Sequence, residues 1–132
     1  MKMRVPSVPL ITIDPFFSVW SPADRLTDAD TVHWTNTAKA ERKIIMRGIV
    51  KIDGKPYRFM GENAEGGEIP AMRQISLDID AFSSTYAFED AGIRLEAKFT
   101  TPVIPSDIYY LTRPVSYLRL SVTSKDGEKH EV

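Results

Sequence analysis

At 132 residues, with a formal charge of -1 and a hydrophobic share of 42%, the chain is long enough to bury roughly two thirds of the surface its unfolded form exposes. Neither disorder nor membrane insertion fits that composition, and the near balance of 17 basic and 18 acidic residues gives no electrostatic reason to expect nucleic acid or an anionic membrane as a partner. The absence of cysteine excludes disulfides, thiolate nucleophiles and zinc-thiolate sites.

Met1 to Arg4 has the basic character of a secretion signal, but Pro6, Ser7 and Pro9 interrupt the apolar run such a signal needs. No leader is expected in the sequence as it stands, and no window approaches a membrane span. Residues 1–10 read as an extended lead-in, because each proline removes a donor and pushes its predecessor towards β or polyproline geometry. Ile11 and Ile13 alternate with Thr12 and Asp14 as a short strand stopped at Pro15. Phe16, Phe17, Val19 and Trp20 then supply a large apolar surface without regular periodicity. Ser21-Pro22-Ala23-Asp24 is turn chemistry, with a short helical turn over Pro22 to Leu26 as the alternative.

Lys39 to Lys43 reads as a solvated turn. Ile44 to Ile52 is rich in β-branched residues, and Asp53-Gly54 follows as a tight turn into a return strand through Tyr57, Phe59 and Met60. Gly61 to Pro70 is a polar loop expected to be mobile. Ile75, Leu77, Ile79 and Ala81 then alternate with Ser76, Asp78 and Asp80, the pattern of a half-buried strand. Tyr86 and Phe88 continue it, Glu89-Asp90-Ala91-Gly92 turns, and Ile93, Leu95, Ala97 and Phe99 form the next strand until Pro102 and Pro105 end it. Val115 to Thr123 is a further strand with Leu118, Leu120 and Val122 on the inward face, and Asp126-Gly127 is a turn that ordinarily feeds a partner strand. Only Glu128 to Val132 follows, so the β-domain is expected to be incomplete at its C-terminus. The fold class expected is all-β: an antiparallel, sandwich-like domain over residues 36–132 with a long irregular N-terminal arm, residues 1–35, packed on the sheet.

The motifs that usually carry chemistry are mostly missing. Gly61 and Gly66 have phosphate-loop spacing, but Gly67 stands where the lysine belongs. Asp78 with Asp80, and Asp24 with Asp28 and Asp30, are explained by a wet strand face and by turn solvation, so no metal is expected. Lys55, Tyr57, Arg58 and Phe59 lack the glycines of an RNA-binding signature. His33-Trp34 stands out, because imidazole can move protons near neutral pH while the indole offers an apolar wall and one donor. The simpler reading is that Trp34 plugs the sheet and His33 satisfies a local hydrogen bond. No catalytic residue is assigned and no cofactor is expected.

The succession VPLITIDPFFSVWSPADRLTD, HWT, IVKIDGKPYRFMG, PAMRQISLDI, TYAFEDAGIRLEAKFTTPVIPSD and LTRPVSYLRLSVTSKDGEKHEV resembles, in order and over nearly the whole chain, the N-terminal region of glutaminase A-type proteins of bacteria and fungi. The likeness departs at TNTAKAERKIIMRG and in the acidic loop GENAEGGE. It implies a β-sandwich-like N-terminal domain followed by a helical toroid that hydrolyses L-glutamine to glutamate and ammonia, in a parent that is commonly exported. On that footing the fragment is not itself an enzyme, its partner is the missing helical domain of the same polypeptide, and Trp20, His33 and Trp34 lie where the arm meets it. Two readings stand beside it: a carbohydrate-binding module with Trp20, Trp34 and Tyr57 as stacking faces, and a structural or assembly module. An unpaired sheet edge is expected to promote self-association.

Overall fold

A computed structural model describes residues 5–35, 44–64 and 67–132. The solvated turn expected over Lys39 to Lys43 lies outside the described residues, as does Gly66 of the phosphate-loop reading. Among the described residues the strands form three sheets, all antiparallel as the alternation predicts. The largest is a meander of β6 (Arg73–Ile79), β7 (Ser83–Asp90), β8 (Ile93–Thr100) and β9 (Tyr117–Ser124), in the order β6-β7-β8-β9. Its inner face follows directly from the alternation: Ile93, Leu95, Ala97 and Phe99 are buried, while Arg94, Glu96 and Lys98 between them stay half-buried. Register sets Phe88 opposite Leu95 and Tyr86 opposite Ala97, and Tyr86 stacks on Phe88 and meets the edge of Phe99, at 6.2 Å in each case.

Two smaller sheets cover this face. The hairpin of β4 (Gly48–Ile52) and β5 (Lys55–Met60) turns at Asp53-Gly54, both with positive φ (49° and 82°), as an Asp-Gly turn requires. It adds Ile52, Phe59 and Met60 to the core beside Phe88. The strand expected from Ile44 begins only at Gly48. The first 35 residues carry β1 (Val8–Ile11), β2 (Val19–Ser21) and β3 (Val32–His33), three short strands joined by long irregular segments. β1 lies against β7 and β8 and buries Val8 and Leu10 there. Ser84 Oγ donates to Pro9 O (2.7 Å) and Thr12 N to Thr101 Oγ1 (3.1 Å), fixing that contact.

In several places the structure decides between readings or shifts an expected boundary. The first strand starts at Val8, not Ile11, and runs through Pro9, which is tolerated because β1 is the end strand of its sheet and needs no donor there. Residues 23–25 form bends and 26–27 a turn closed by Asp28 N on Arg25 O (3.1 Å), with no helix there. Phe59 is only 4% exposed, which removes it from any stacking platform for RNA. Asp80 does not pair with Asp78 around a cation: its carboxylate accepts from Ser83 Oγ and from the backbone N–H groups of Phe82 and Ser83, which hold it below the usual carboxylate range. Among the described residues no group of three or more His, Cys, Asp or Glu side chains could hold a metal ion. Leu118, Leu120 and Val122 do lie on the inward face, opposite Phe99, Ala97 and Leu95, yet stay 43%, 50% and 41% exposed because neither small sheet reaches that far.

The tail after Asp126-Gly127 adds no strand to the sheet. It crosses to the β4–β5 turn, where Asp53 N donates to Glu131 O (2.9 Å) and Glu131 N donates back to Asp53 Oδ1 (3.0 Å). His130 sits between two carboxylates, with Nδ1 2.7 Å from Asp53 and Nε2 3.0 Å from Asp126. Gly92 must be glycine there: its φ is +77°, and a Cβ would stand 2.1 Å from Asp126 Oδ2.

Candidate functional site

The tripeptide His33-Trp34-Thr35 leaves β3 beside the turn Asp14 to Phe17, and a small hydrogen-bond network joins the two. Asp14 shapes its own turn, taking Phe16 N on Oδ1 (2.7 Å) and Phe17 N on its carbonyl (3.1 Å). The Pro15 carbonyl accepts from both His33 Nε2 and Trp34 Nε1, each at 2.9 Å. A carbonyl only accepts, so His33 carries its proton on Nε2. Nδ1 is correspondingly the acceptor for Thr35 N (3.3 Å) and for the Thr35 hydroxyl (3.0 Å). Both ring nitrogens are therefore engaged within the turn, Nε2 with Pro15 and Nδ1 with Thr35.

The same network sets out aromatic surface. Phe16 is 89% exposed, Phe17 46% and Trp34 56%, and the His33 and Trp34 rings lie 5.9 Å apart. The polar atoms of His33 and of the indole are spent on backbone and Thr35, so what remains outward is apolar. Of the three residues expected to act together, the structure joins His33 and Trp34 and separates Trp20. Val19 stands opposite His33 in the register, so Trp20, opposite Val32 and Pro9, lies on the other face of the small sheet. It is half-buried, with its N–H on Ser18 Oγ at 2.9 Å. Trp34 does not plug the sheet, whereas the local hydrogen bond expected of His33 is present.

Two constellations were not legible in the sequence. One is the His130 clasp, whose partners Asp53 and Asp126 come from two different hairpin ends. The other is Arg58, buried, with Nη1 donating to the Thr27 and Gly61 carbonyls and Nε lacking a partner. It ties the segment after β2 to the start of the acidic loop, which is tethered further by Glu62 N on Asp30 Oδ1 (3.0 Å) and by the bidentate Arg47–Asp30 pair.

These features define a class: an antiparallel β-domain of open layers with a pinned aromatic display at one end. The chain belongs to the family described as domain of unknown function DUF4964, whose model matches residues 1–66; residues 82–132 match a second description, domain of unknown function DUF5127. Glutaminase A of Aspergillus oryzae is 24% identical over 137 aligned residues, which take in 98% of this chain and 19% of that protein. The chain thus spans about a fifth of the length of the curated relative it matches. No solved structure matches it.

Proposed function

We propose that this chain is the N-terminal, non-catalytic β-domain of a glutaminase A-like amidohydrolase, in which a separate helical region hydrolyses L-glutamine to glutamate and ammonia. The observation that carries this reading is the shape of the alignment: it runs through 98% of this chain but occupies only 19% of Glutaminase A. The site geometry agrees with it. An amidohydrolase centre needs a nucleophile or an activated water beside a free base, and both nitrogens of His33 are engaged internally. Phe16, Phe17 and Trp34, held by His33 and Pro15, are on this reading the seat for the helical region, since exposed aromatics fixed in one conformation are what protein interfaces are built around. Trp20 stays on the other face and serves packing. A carbohydrate module built on Trp20, Trp34 and Tyr57 would want its tryptophans together, and the register turns Trp20 to the face away from His33.

The test is twofold. Antibodies raised against this chain should detect, in cells that make it, a polypeptide about five times heavier, as the 19% coverage implies. The purified chain should release no ammonia from L-glutamine. A native band at 14.9 kDa, or glutamine turnover by the isolated chain, overturns the proposal.

A further inference from the structure

Arg58 stands opposite Ile49 in the β4–β5 hairpin and is only 9% exposed. With Arg47, Ile49, Glu62, Asn63 and Ile69 it lines a hollow of about 280 Å³ where the hairpin meets the acidic loop. We infer that this hollow binds a small monocarboxylic acid with a short apolar chain, its carboxylate taken by Arg58. This inference concerns a different surface from the aromatic turn and does not draw on the glutaminase reading.

The charge of Arg58 is what the surrounding structure leaves unanswered. A guanidinium is a permanent cation, and burying one is costly unless it is paired. Nη1 donates to the Thr27 and Gly61 carbonyls, which are neutral, while Nε has no partner. Among the described residues Nη2 has no hydrogen-bond partner either, and no carboxylate pairs with the group. Tying Thr27 to Gly61 therefore accounts for one nitrogen of the three. The edge left over, Nε with Nη2, is a fork of the kind that takes a carboxylate through two parallel N–H···O bonds.

The rest of the lining narrows the ligand. Arg47 is already engaged in its bidentate pair with Asp30 (3.0 and 2.7 Å), so one cation is open, which suits one carboxylate. Glu62 also lines the hollow, and its charge disfavours a dianion or a phosphate. Ile49 and Ile69 supply an apolar wall, with Ile69 N held on Asn63 Oδ1 (3.0 Å). At roughly 30 Å³ for each water displaced, the hollow has room for an acid of a few carbons beside its carboxylate. That size lies just under the range usual for drug-sized ligands.

Titration of the protein with sodium propionate, followed on the arginine Nε–Hε and isoleucine methyl signals by NMR, tests the assignment. Propionate should move the Arg58, Ile49 and Ile69 signals along one saturating curve and leave Arg47 nearly still; sodium chloride at equal ionic strength and the neutral isostere propionamide should not. Ile49→Glu changes a half-exposed position and sets a carboxylate in the hollow, so it should leave the melt unchanged and weaken propionate by about tenfold or more. Glu62→Gln should tighten it about threefold. No saturable shift at Arg58, equal shifts with propionamide or chloride, or binding indifferent to Ile49→Glu overturns the inference. So does propionate binding that occurs only in Glu62→Gln, since the occupant of the native hollow is then the protein's own Glu62 side chain.

Discussion

Gly48 is covered by an aromatic ring, and enlarging it tests whether the hairpin is packed as tightly as its geometry states. A Cβ built at Gly48 would lie 2.4, 2.6 and 2.8 Å from Cζ, Cε2 and Cε1 of Phe59, where ordinary contact begins near 3.4 Å. The Phe59 ring would have to retreat by about 1 Å, and behind it stands Phe88, with ring centroids already 6.1 Å apart. Overpacking of this kind costs about 1–3 kcal/mol, a sizeable share of the stability of a domain this size, which is about 5–15 kcal/mol. Gly48→Ala should therefore lower the urea midpoint with little change in its slope. Phe59→Leu alone should cost about 1 kcal/mol or somewhat more, yet in the Gly48→Ala background it should cost distinctly less, because the smaller side chain vacates the space the new methyl needs. If Gly48→Ala is neutral, or if the two losses simply add, then the ring does not lie over Gly48 and the packing argument fails.

Two further predictions concern polar groups. The Tyr86 hydroxyl and Ser21 Oγ are buried without hydrogen-bond partners, and burial pushes the phenol up to about 12; Tyr86→Phe should raise stability by up to about 1 kcal/mol in chemical denaturation, and a loss would refute the orphaned hydroxyl. His130 is raised above its ordinary 6.5 by its bonds to Asp53 and Asp126, while Asp126 is held down to about 2 by Glu128 N–H and His130, and Asp53 is lowered by His130 and Glu131 N–H. The histidine's contribution is complete below pH 6.5 and is lost as pH rises through its raised folded value; the aspartates' contribution is present above 3.8 and is lost as pH falls through their lowered folded values, about 2 for Asp126. Melts should thus be lower at about pH 8.5 than at about pH 5.5, and His130→Gln should flatten that difference; an unchanged difference in His130→Gln would remove the clasp from the account.

The parts of the fold legible in the sequence are those set by neighbours along the chain. Ile93 to Phe99 alternate because one face of β8 is core, and Asp53-Gly54 turns because both residues tolerate positive φ. Register then follows from the tight turn. What alternation cannot say is whether the inward face is covered. Leu118, Leu120 and Val122 show the same period as Ile93, Leu95 and Ala97 and lie on the same face, yet only the second set is buried, because cover is supplied by β1 and by the β4–β5 hairpin from distant sequence. The His130 clasp escaped for the same reason: Asp53 lies 77 positions away, and no local spacing announces it.

The aromatic turn shows where reading from residue types goes furthest and where it misleads. Asp14-Pro15-Phe16-Phe17 with His33-Trp34 reads as chemistry because it holds an imidazole, yet the Pro15 carbonyl receives the imidazole and indole donors together. A network that spends these donors on its own backbone holds the rings still. That is the opposite arrangement from β9, whose backbone among the described residues bonds only to β8. Rings held in one conformation leave little conformational entropy to lose on any contact, whereas an edge strand is read through backbone hydrogen bonds, with alternate side chains choosing the register.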